Sequence, residues 1–332
     1  MPAGMGDESA QTVFKSDACV MAGIAKAPLF KPENAALAGR LRYADLGFFK
    51  DKKPSKKSIV TERILGKIRA LRRSDTDKRS YGRLYVFAGS ECYGGAAMMC
   101  VKAALRSGAG LVSAFVPEKL APPFAAAEPS AIWIPCPTTE DGSLSLETFS
   151  LYRERMGMET AILAGPGLSS NPETLALVSE ILRHTRANVV LDADAVRPGV
   201  VENLKKNRGL ITPHAGEFLR VAGGISDEAL SAFSAEKSVA VLLKGAVSRI
   251  ARGGEIAFNV SGSPILARGG SGDILAGIAG GLLARQDLGF TPFEAGCAAA
   301  FAAGKIAEKA FAGRGENAYC SSMAFDFFKY VL

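Results

Sequence analysis

Residues 161–194 read AILAGPGLSSNPETLALVSEILRHTRANVVLDAD. Two short apolar runs, Ala161–Ala164 and Val189–Leu191, enclose a segment, Pro172–His184, with apolar residues at helical spacing. The first run ends in Gly165-Pro166-Gly167-Leu168 and the second in Asp192-Ala193-Asp194. Apolar runs of this length, closed by turn residues, fit strands covered on both faces. Strand, helix and strand in that order are the repeating unit of a parallel sheet.

The same texture runs outward from this stretch. Leu84–Ala88, Leu111–Val116, Ala131–Ile134, Leu210–Ile211 and Val239–Leu243 are further strand candidates. Ala96–Ser107, Glu217–Ala222, Ile274–Arg285 and Pro292–Phe311 are further helix candidates. The alternation predicts an α/β fold with a mainly parallel central sheet. In such sheets ligands bind at the carboxyl ends of the strands, and here those ends carry the glycines and polar residues.

The strongest local signal is Ala267-Arg-Gly-Gly-Ser-Gly-Asp273, leading into an apolar helical run. Glycines let backbone N–H groups converge on one point, and the helix N-terminus adds partial positive charge. Gly270, Ser271 and Gly272 are therefore expected to form an anion hole. Asp273, in the first helical turn, is placed to take a proton from a hydroxyl that attacks phosphorus; a helix cap is the plainer alternative. No Gly-Lys-Ser/Thr and no G-x-G-x-x-G accompanies the loop. Thr212-Pro-His-Ala-Gly-Glu217 follows a strand and holds His214, one of two histidines. Leu243-Lys-Gly-Ala-Val-Ser248 offers Lys244 and turn amides to phosphate or ribose. Asp192 and Asp194 are candidates to hold Mg²⁺ through water or to fix neighbouring loops. Ala88-Gly-Ser-Glu-Cys-Tyr-Gly-Gly-Ala-Ala97 is a further glycine-rich turn into a helix.

Composition narrows the class. The 332 residues carry 40 Lys+Arg against 33 Asp+Glu, a formal net charge of +7. The excess is local: residues 1–80 hold 17 basic and 9 acidic residues, and residues 81–332 hold 23 and 24. The basic stretch from Lys50 to Arg79 has no aromatic residues interleaved until Tyr81, unlike a single-strand nucleic-acid binder. It reads as a solvated linker over residues 50–80, in which Val60–Arg73 forms a short helix with Ile64, Ile68 and Leu71 on one face. Nucleic acid is not an expected partner. The six cysteines form no C-x-x-C and read as scattered, mostly buried thiols. The longest apolar stretches are about half a membrane span, and no signal-peptide pattern opens the chain. A cytoplasmic protein that does not meet the membrane is expected. A Ser/His hydrolase finds no G-x-S-x-G elbow.

The segments in order resemble the ADP/ATP-dependent NAD(P)H-hydrate dehydratase family, a ribokinase-like branch. The resemblance spans about residues 81–332. It rests on Tyr81-Gly-Arg-Leu84, Ala88-Gly-Ser90, Ala104-Leu-Arg-Ser-Gly-Ala-Gly-Leu-Val112, Gly165-Pro-Gly167, Leu191-Asp-Ala-Asp194, Thr212-Pro-His-Ala-Gly-Glu217, Leu243-Lys-Gly-Ala246 and Asn259 through Asp273. Val260 stands where the family has Pro, and Arg268 where it commonly has Lys. The resemblance implies a three-layer α/β/α fold and a lyase that repairs hydrated NADH or NADPH. It implies Asp273 as base, and Ala96, Gly167 and His214 as substrate contacts. Lys244, Gly245, Ala246, Val247, Ser248 and Gly272 would hold the adenine nucleotide, with Mg²⁺ bridging its phosphates. ADP is the expected co-substrate, and a ribokinase-like small-molecule kinase is the alternative reading. Ala27-Pro-Leu-Phe-Lys-Pro32 and Ala38–Gly47 resemble the end of the family's epimerase domain, so residues 1–49 are expected to be its tail. The resemblance also implies a homo-oligomer and a separately encoded epimerase as partner.

Overall fold

The computed structural model describes residues 14–47, 55–314 and 317–332. Residues 1–13 of the expected tail, residues 48 and 49 at its end, and residues 50–54 of the expected linker lie outside them. Strands β1 (Ala18–Ala22) and β2 (Arg40–Ala44) pair in parallel as a small separate sheet. The main sheet has ten strands: β3 (Lys57–Ile59), β4 (Arg83–Phe87), β5 (Leu111–Pro117), β6 (Ile132–Cys136), β7 (Ala161–Ala164), β8 (Asn188–Leu191), β9 (Gly209–Ile211), β10 (Ala240–Leu243), β11 (Ser248–Arg252) and β12 (Glu255–Asn259). Their spatial order is β3-β12-β11-β10-β9-β8-β7-β4-β5-β6. From β10 to β6 every pairing is parallel, and β11 runs against both its neighbours.

The order holds one topological event that matters for function. The chain winds from β4 through β5 to β6 toward one edge. It then returns to the other side of β4 as β7 and winds away through β8, β9 and β10. Connections leaving β4 and β7 therefore diverge to opposite sides and open a crevice at their carboxyl ends.

The helices are α1 (Ala35–Ala38), α2 (Gly94–Arg106), α3 (Ala121–Ala127), α4 (Thr148–Arg153), α5 (Pro172–His184), α6 (Pro198–Val201), α7 (Ala215–Ala222), α8 (Asp227–Lys237), α9 (Ser271–Ala284) and α10 (Pro292–Arg314). Strand alternation sends Leu84 and Val86 into one core with α2, α9 and α10, and Tyr85 and Phe87 into a second core with α4, α5, α7 and α8. The result is the expected three-layer α/β/α architecture. Helix α9 is buried from Ile274 to Ala284, because it is covered by the sheet below and by α2 and α10 alongside. Its small residues permit this: a methyl on Gly281 would lie 2.8 Å from the carbonyl oxygen of Ala104 on α2. Boundaries follow the local chemistry. Pro172 opens α5, and Asn171 Oδ1 accepts from Glu173 N at 2.8 Å.

The stretch expected to be a solvated linker is largely attached to the main sheet. Lys57, Ser58 and Ile59 pair in parallel with Ile256, Ala257 and Phe258 at the sheet edge. Val60, Leu65 and Ile68 are buried in the core beside α10. The expected helix is reduced to a 3₁₀ turn at Glu62–Leu65, and Leu71 is 97% exposed rather than sharing a face with Ile64 and Ile68. Charge density masked these few apolar contacts. Lys57 meets Asp227 at 2.7 Å, which also holds Arg249 at 2.9 Å, so a basic residue of the edge is neutralised from α8. Among the described residues no helix is long and apolar enough to cross a membrane. Cys19, Cys100, Cys136 and Cys297 are buried, and Cys92 and Cys320 are exposed.

Candidate active site

Two loops frame the crevice. Ala88–Tyr93 leaves β4, and Gly165–Leu168 leaves β7. They are joined by the amide of Gly89 donating to the Pro166 carbonyl at 2.8 Å. Gly165 has φ +131°, and a side chain there would run into the carbonyl oxygen of Asp192. This explains the Gly-Pro-Gly sequence: β7 must turn directly over the end of β8. Gly167 sits against the start of α2, where a methyl would lie 2.9 Å from Cβ of Tyr93 and 3.0 Å from Cβ of Ala96. Ala96 and Gly167, far apart in sequence, are thus neighbours across the switch point.

The next three strand ends bring polar groups together. Asp192, at the end of β8, is 1% exposed. Its Oδ1 accepts from Thr212 Oγ1 at 2.8 Å and from Lys244 Nζ at 2.7 Å. Thr212 follows β9 and Lys244 follows β10, so three adjacent parallel strands each supply one member. Lys244 N also donates to the Pro213 carbonyl at 2.8 Å. Burial pulls the Lys244 ammonium down, but the carboxylates of Asp192, Glu217 and Asp273 outweigh it and leave it raised. Lys244 is therefore a cation at neutral pH. Asp194 takes the other expected role of this segment, fixing a loop: its Oδ2 accepts from Ser169 N at 3.0 Å.

Helix α9 closes the site from the opposite side. Gly270 is its N-cap with φ +87°, and a side chain there would strike the sulfur of Met99 on α2. Ser271 Oγ donates back to the carbonyls of Leu266 and Arg268 at 2.7 and 2.9 Å, and Ser321 Oγ donates to the Gly269 carbonyl at 2.6 Å. The loop is thereby fixed from behind by hydroxyls. The first intrahelical bond comes from Ile274 N to the Gly270 carbonyl, so the amides of Gly272 and Asp273 have no helical acceptor. A methyl on Gly272 would lie 3.4 Å from Lys244 Nζ and 3.9 Å from Asp192 Oδ2. The start of α9 thus lies beside the Lys244–Asp192 pair.

Asp273 shares this ground. Burial, followed by the charge of Asp192, pushes its carboxyl up to about 6; Asp194 adds to the rise and Lys244 opposes it. A carboxylate so tuned is a stronger base than one in water. Cys100 of α2 is close enough that burial and then the charges of Asp273 and Asp192 hold its thiol well above the ordinary range.

His214 has a structural task that its isolation in the sequence did not reveal. It is the N-cap of α7: Nδ1 accepts from Gly216 N at 3.0 Å and Glu217 N at 3.3 Å. Glu217 Oε2 in turn accepts from His214 N at 2.8 Å, completing a reciprocal cap. Gly245, Ala246 and Val247 form the turn from β10 into β11, which Ser248 opens, with Gly245 and Ala246 exposed. Asp192 is the residue whose work the sequence left open. The available signal was a pattern: acid, hydroxyl and amine at the ends of three successive strand candidates.

The fold is ribokinase-like: the chain is similar to a ribokinase-like superfamily protein of Enterococcus faecalis, with TM-score 0.72, 24% identity, and coverage of 84% of this chain and 96% of that one. Within that class, the chain belongs to the NAD(P)H-hydrate dehydratase family, whose sequence profile matches residues 84–327. It is 32% identical over 319 residues to the bifunctional NAD(P)H-hydrate repair enzyme Nnr of Moorella thermoacetica, covering 90% of this chain and 58% of that protein. It is 34% identical over 249 residues to the ADP-dependent (S)-NAD(P)H-hydrate dehydratase of Cenarchaeum symbiosum, covering 72% of this chain and 84% of that one. The chain spans about half the length of the bifunctional relatives it matches. Among solved structures it is similar to the ADP/ATP-dependent NAD(P)H-hydrate dehydratase of Bacillus subtilis co-crystallised with ATP and Mg²⁺, with TM-score 0.68, 25% identity, and coverage of 82% of this chain and 97% of that one.

Proposed function

We propose that this chain is an ADP-dependent (S)-NAD(P)H-hydrate dehydratase, which removes water from hydrated NADH or NADPH. The observation that carries the reading is the junction of Asp273, the amides at the start of α9 and the Lys244–Asp192 pair. A hydroxyl on the dihydropyridine ring is a poor leaving group. Asp273 takes its proton as the ring oxygen attacks the terminal phosphoryl group of ADP, and AMP departs. The amides of Gly272 and Asp273, rather than that of Ser271, which donates to the Arg268 carbonyl, stabilise charge on the transferring phosphoryl group together with the Lys244 ammonium. The ring nitrogen's electron pair then expels phosphate, and loss of the neighbouring C–H proton restores the double bond. Ala96, Gly167 and His214 hold the hydrated nucleotide, and Lys244–Ser248 with Gly272 hold ADP.

Mg²⁺ is the ion the phosphates would bring. Among the described residues no group of three His, Cys, Asp or Glu side chains is arranged to cage a metal, and Asp192 is already engaged by Thr212 and Lys244. This donor set fits a cation carried by phosphate oxygens and water rather than by a carboxylate cage. When bound, it would neutralise phosphate charge.

The test supplies hydrated NADH with ADP, and separately with ATP, and follows the absorbance of reduced nicotinamide. Its return, faster with ADP, is expected. Absence of recovery together with a stable phosphorylated alcohol would establish the kinase reading instead. The expected separate epimerase and the homo-oligomer are readings of the same kind, checked by adding an epimerase to racemic hydrate and by sedimentation.

A further inference from the structure

The structure assigns residues 14–47, which precede the family match, the role of positioning the two loops that hold the adenine nucleotide. This inference rests on placing that nucleotide at Lys244–Ser248. Three contacts carry it. Cys19, Met21, Leu29, Ala38 and Leu41 form their own buried cluster, against which Val247 and Val260 pack. Val247 is the middle of the nucleotide turn and also packs on the core under β10, so it bridges the two. Phe30 lies 4.7 Å, ring to ring, from Phe258 on β12, the strand that delivers Val260.

The third contact is polar. Arg42 of β2 meets Oε1 of Glu308 on α10 at 3.2 Å. The same oxygen accepts from Gly262 N at 3.0 Å, and Lys305 holds Oε2 at 2.8 Å. Gly262 lies in the loop that ends at the amides of α9. One segment therefore braces both the turn beneath the adenine nucleotide and the loop that enters the anion hole. Ordering such loops costs conformational entropy. A loop already held in its bound shape binds more tightly than one that must be ordered by the ligand.

The experiment uses the full chain with Arg42→Ala, Glu308→Gln, Glu308→Ala and the double variant Arg42→Ala/Glu308→Ala. ADP affinity is measured by calorimetric titration, alongside KM for the hydrate and Tm. Because the ion pair is half exposed, Arg42→Ala and Glu308→Gln should each weaken ADP binding about three- to fivefold. Glu308→Ala also frees the Gly262 amide and should weaken it about tenfold. The double variant should match Glu308→Ala alone, since both act through one carboxylate. Arg42→Lys should recover most of the affinity, and the hydrate KM should stay near the parent value while Tm falls only modestly, most in Glu308→Ala. Unchanged ADP affinity in Glu308→Ala, additive losses in the double variant, or a proportionate loss of hydrate binding and Tm would each overturn the inference. A parent protein that binds no ADP would overturn the nucleotide assignment itself.

Discussion

The ammonium of Lys244 lies 2.7 Å from the carboxylate of Asp192, across the strand that separates β8 from β10. The pair sits directly beneath Gly272, where the helix amides open. Its geometry holds a long flexible side chain beside the start of α9, with one donor spent on Asp192.

Asp192→Ala leaves the Lys244 charge buried without its partner. Removing one member of a buried pair costs about 3–5 kcal/mol, so a marked fall in the denaturant midpoint is expected, together with weakened ADP binding. Lys244→Met leaves the more deeply buried Asp192 carboxylate unpaired, so it should cost at least as much stability and lose ADP affinity at least tenfold. Calorimetric titration and urea melts separate the two effects.

Asp273→Asn should lower kcat by about 10²–10⁴ while ADP still binds. Its stability signature is opposite in sign to that of a paired carboxylate. The folded pKa of about 6 exceeds the ordinary 3.8, so the native state binds the extra proton. The parent therefore loses stability as pH rises from about 4 to about 6, by up to about 3 kcal/mol. Asp273→Asn has no such loss, and its Tm should exceed the parent's at pH 7.5 and converge with it near pH 4. In the parent, kcat should fall as pH drops through about 6.

Gly270→Ala meets two obstacles, a positive φ and the sulfur of Met99. Strain of this kind costs about 1–3 kcal/mol, and turnover should fall more than tenfold because the amides move. Adding Met99→Ala should restore part of the stability by relieving the contact, but not the part owed to φ. Thermal melts of the single and double variants test this.

Leu65 and Leu71 stand six residues apart in the basic stretch and should behave oppositely. Leu65→Ala empties a buried site and is expected to cost about 2–5 kcal/mol, whereas Leu71→Ala should change stability by less than about 0.5 kcal/mol. Urea unfolding of both variants checks whether this stretch belongs to the folded domain.

Sequence texture carried the parallel core well, and for a physical reason. Ala161–Ala164 and Pro172–His184 coincide with β7 and α5 because a strand covered on both faces has to be apolar throughout and Asn171-Pro172 marks a helix start. The hairpin of β11 and β12 escaped notice, since Arg249, Arg252 and Glu255 interrupt its apolar residues near the sheet edge. β3 was hidden by Lys56 and Lys57 at its start. Asp273 and the glycines before it were legible because they are contiguous. The Lys244–Asp192–Thr212 cluster was not, because its members are brought together only by strand order. His214 was visible as a rare residue, but its capping geometry depends on the ring's orientation.

Helix α9 is encased along almost its whole length, yet its first turn carries Asp273 and opens on the crevice side of Lys244 and Asp192. A rod gripped in this way has no direction in which to yield. The turn at the rim, with Gly245 and Ala246 exposed, is less enclosed than the helix that carries the aspartate. The proposed chemistry would thus be mounted on an encased element, with the traffic of ligands passing over more exposed loops.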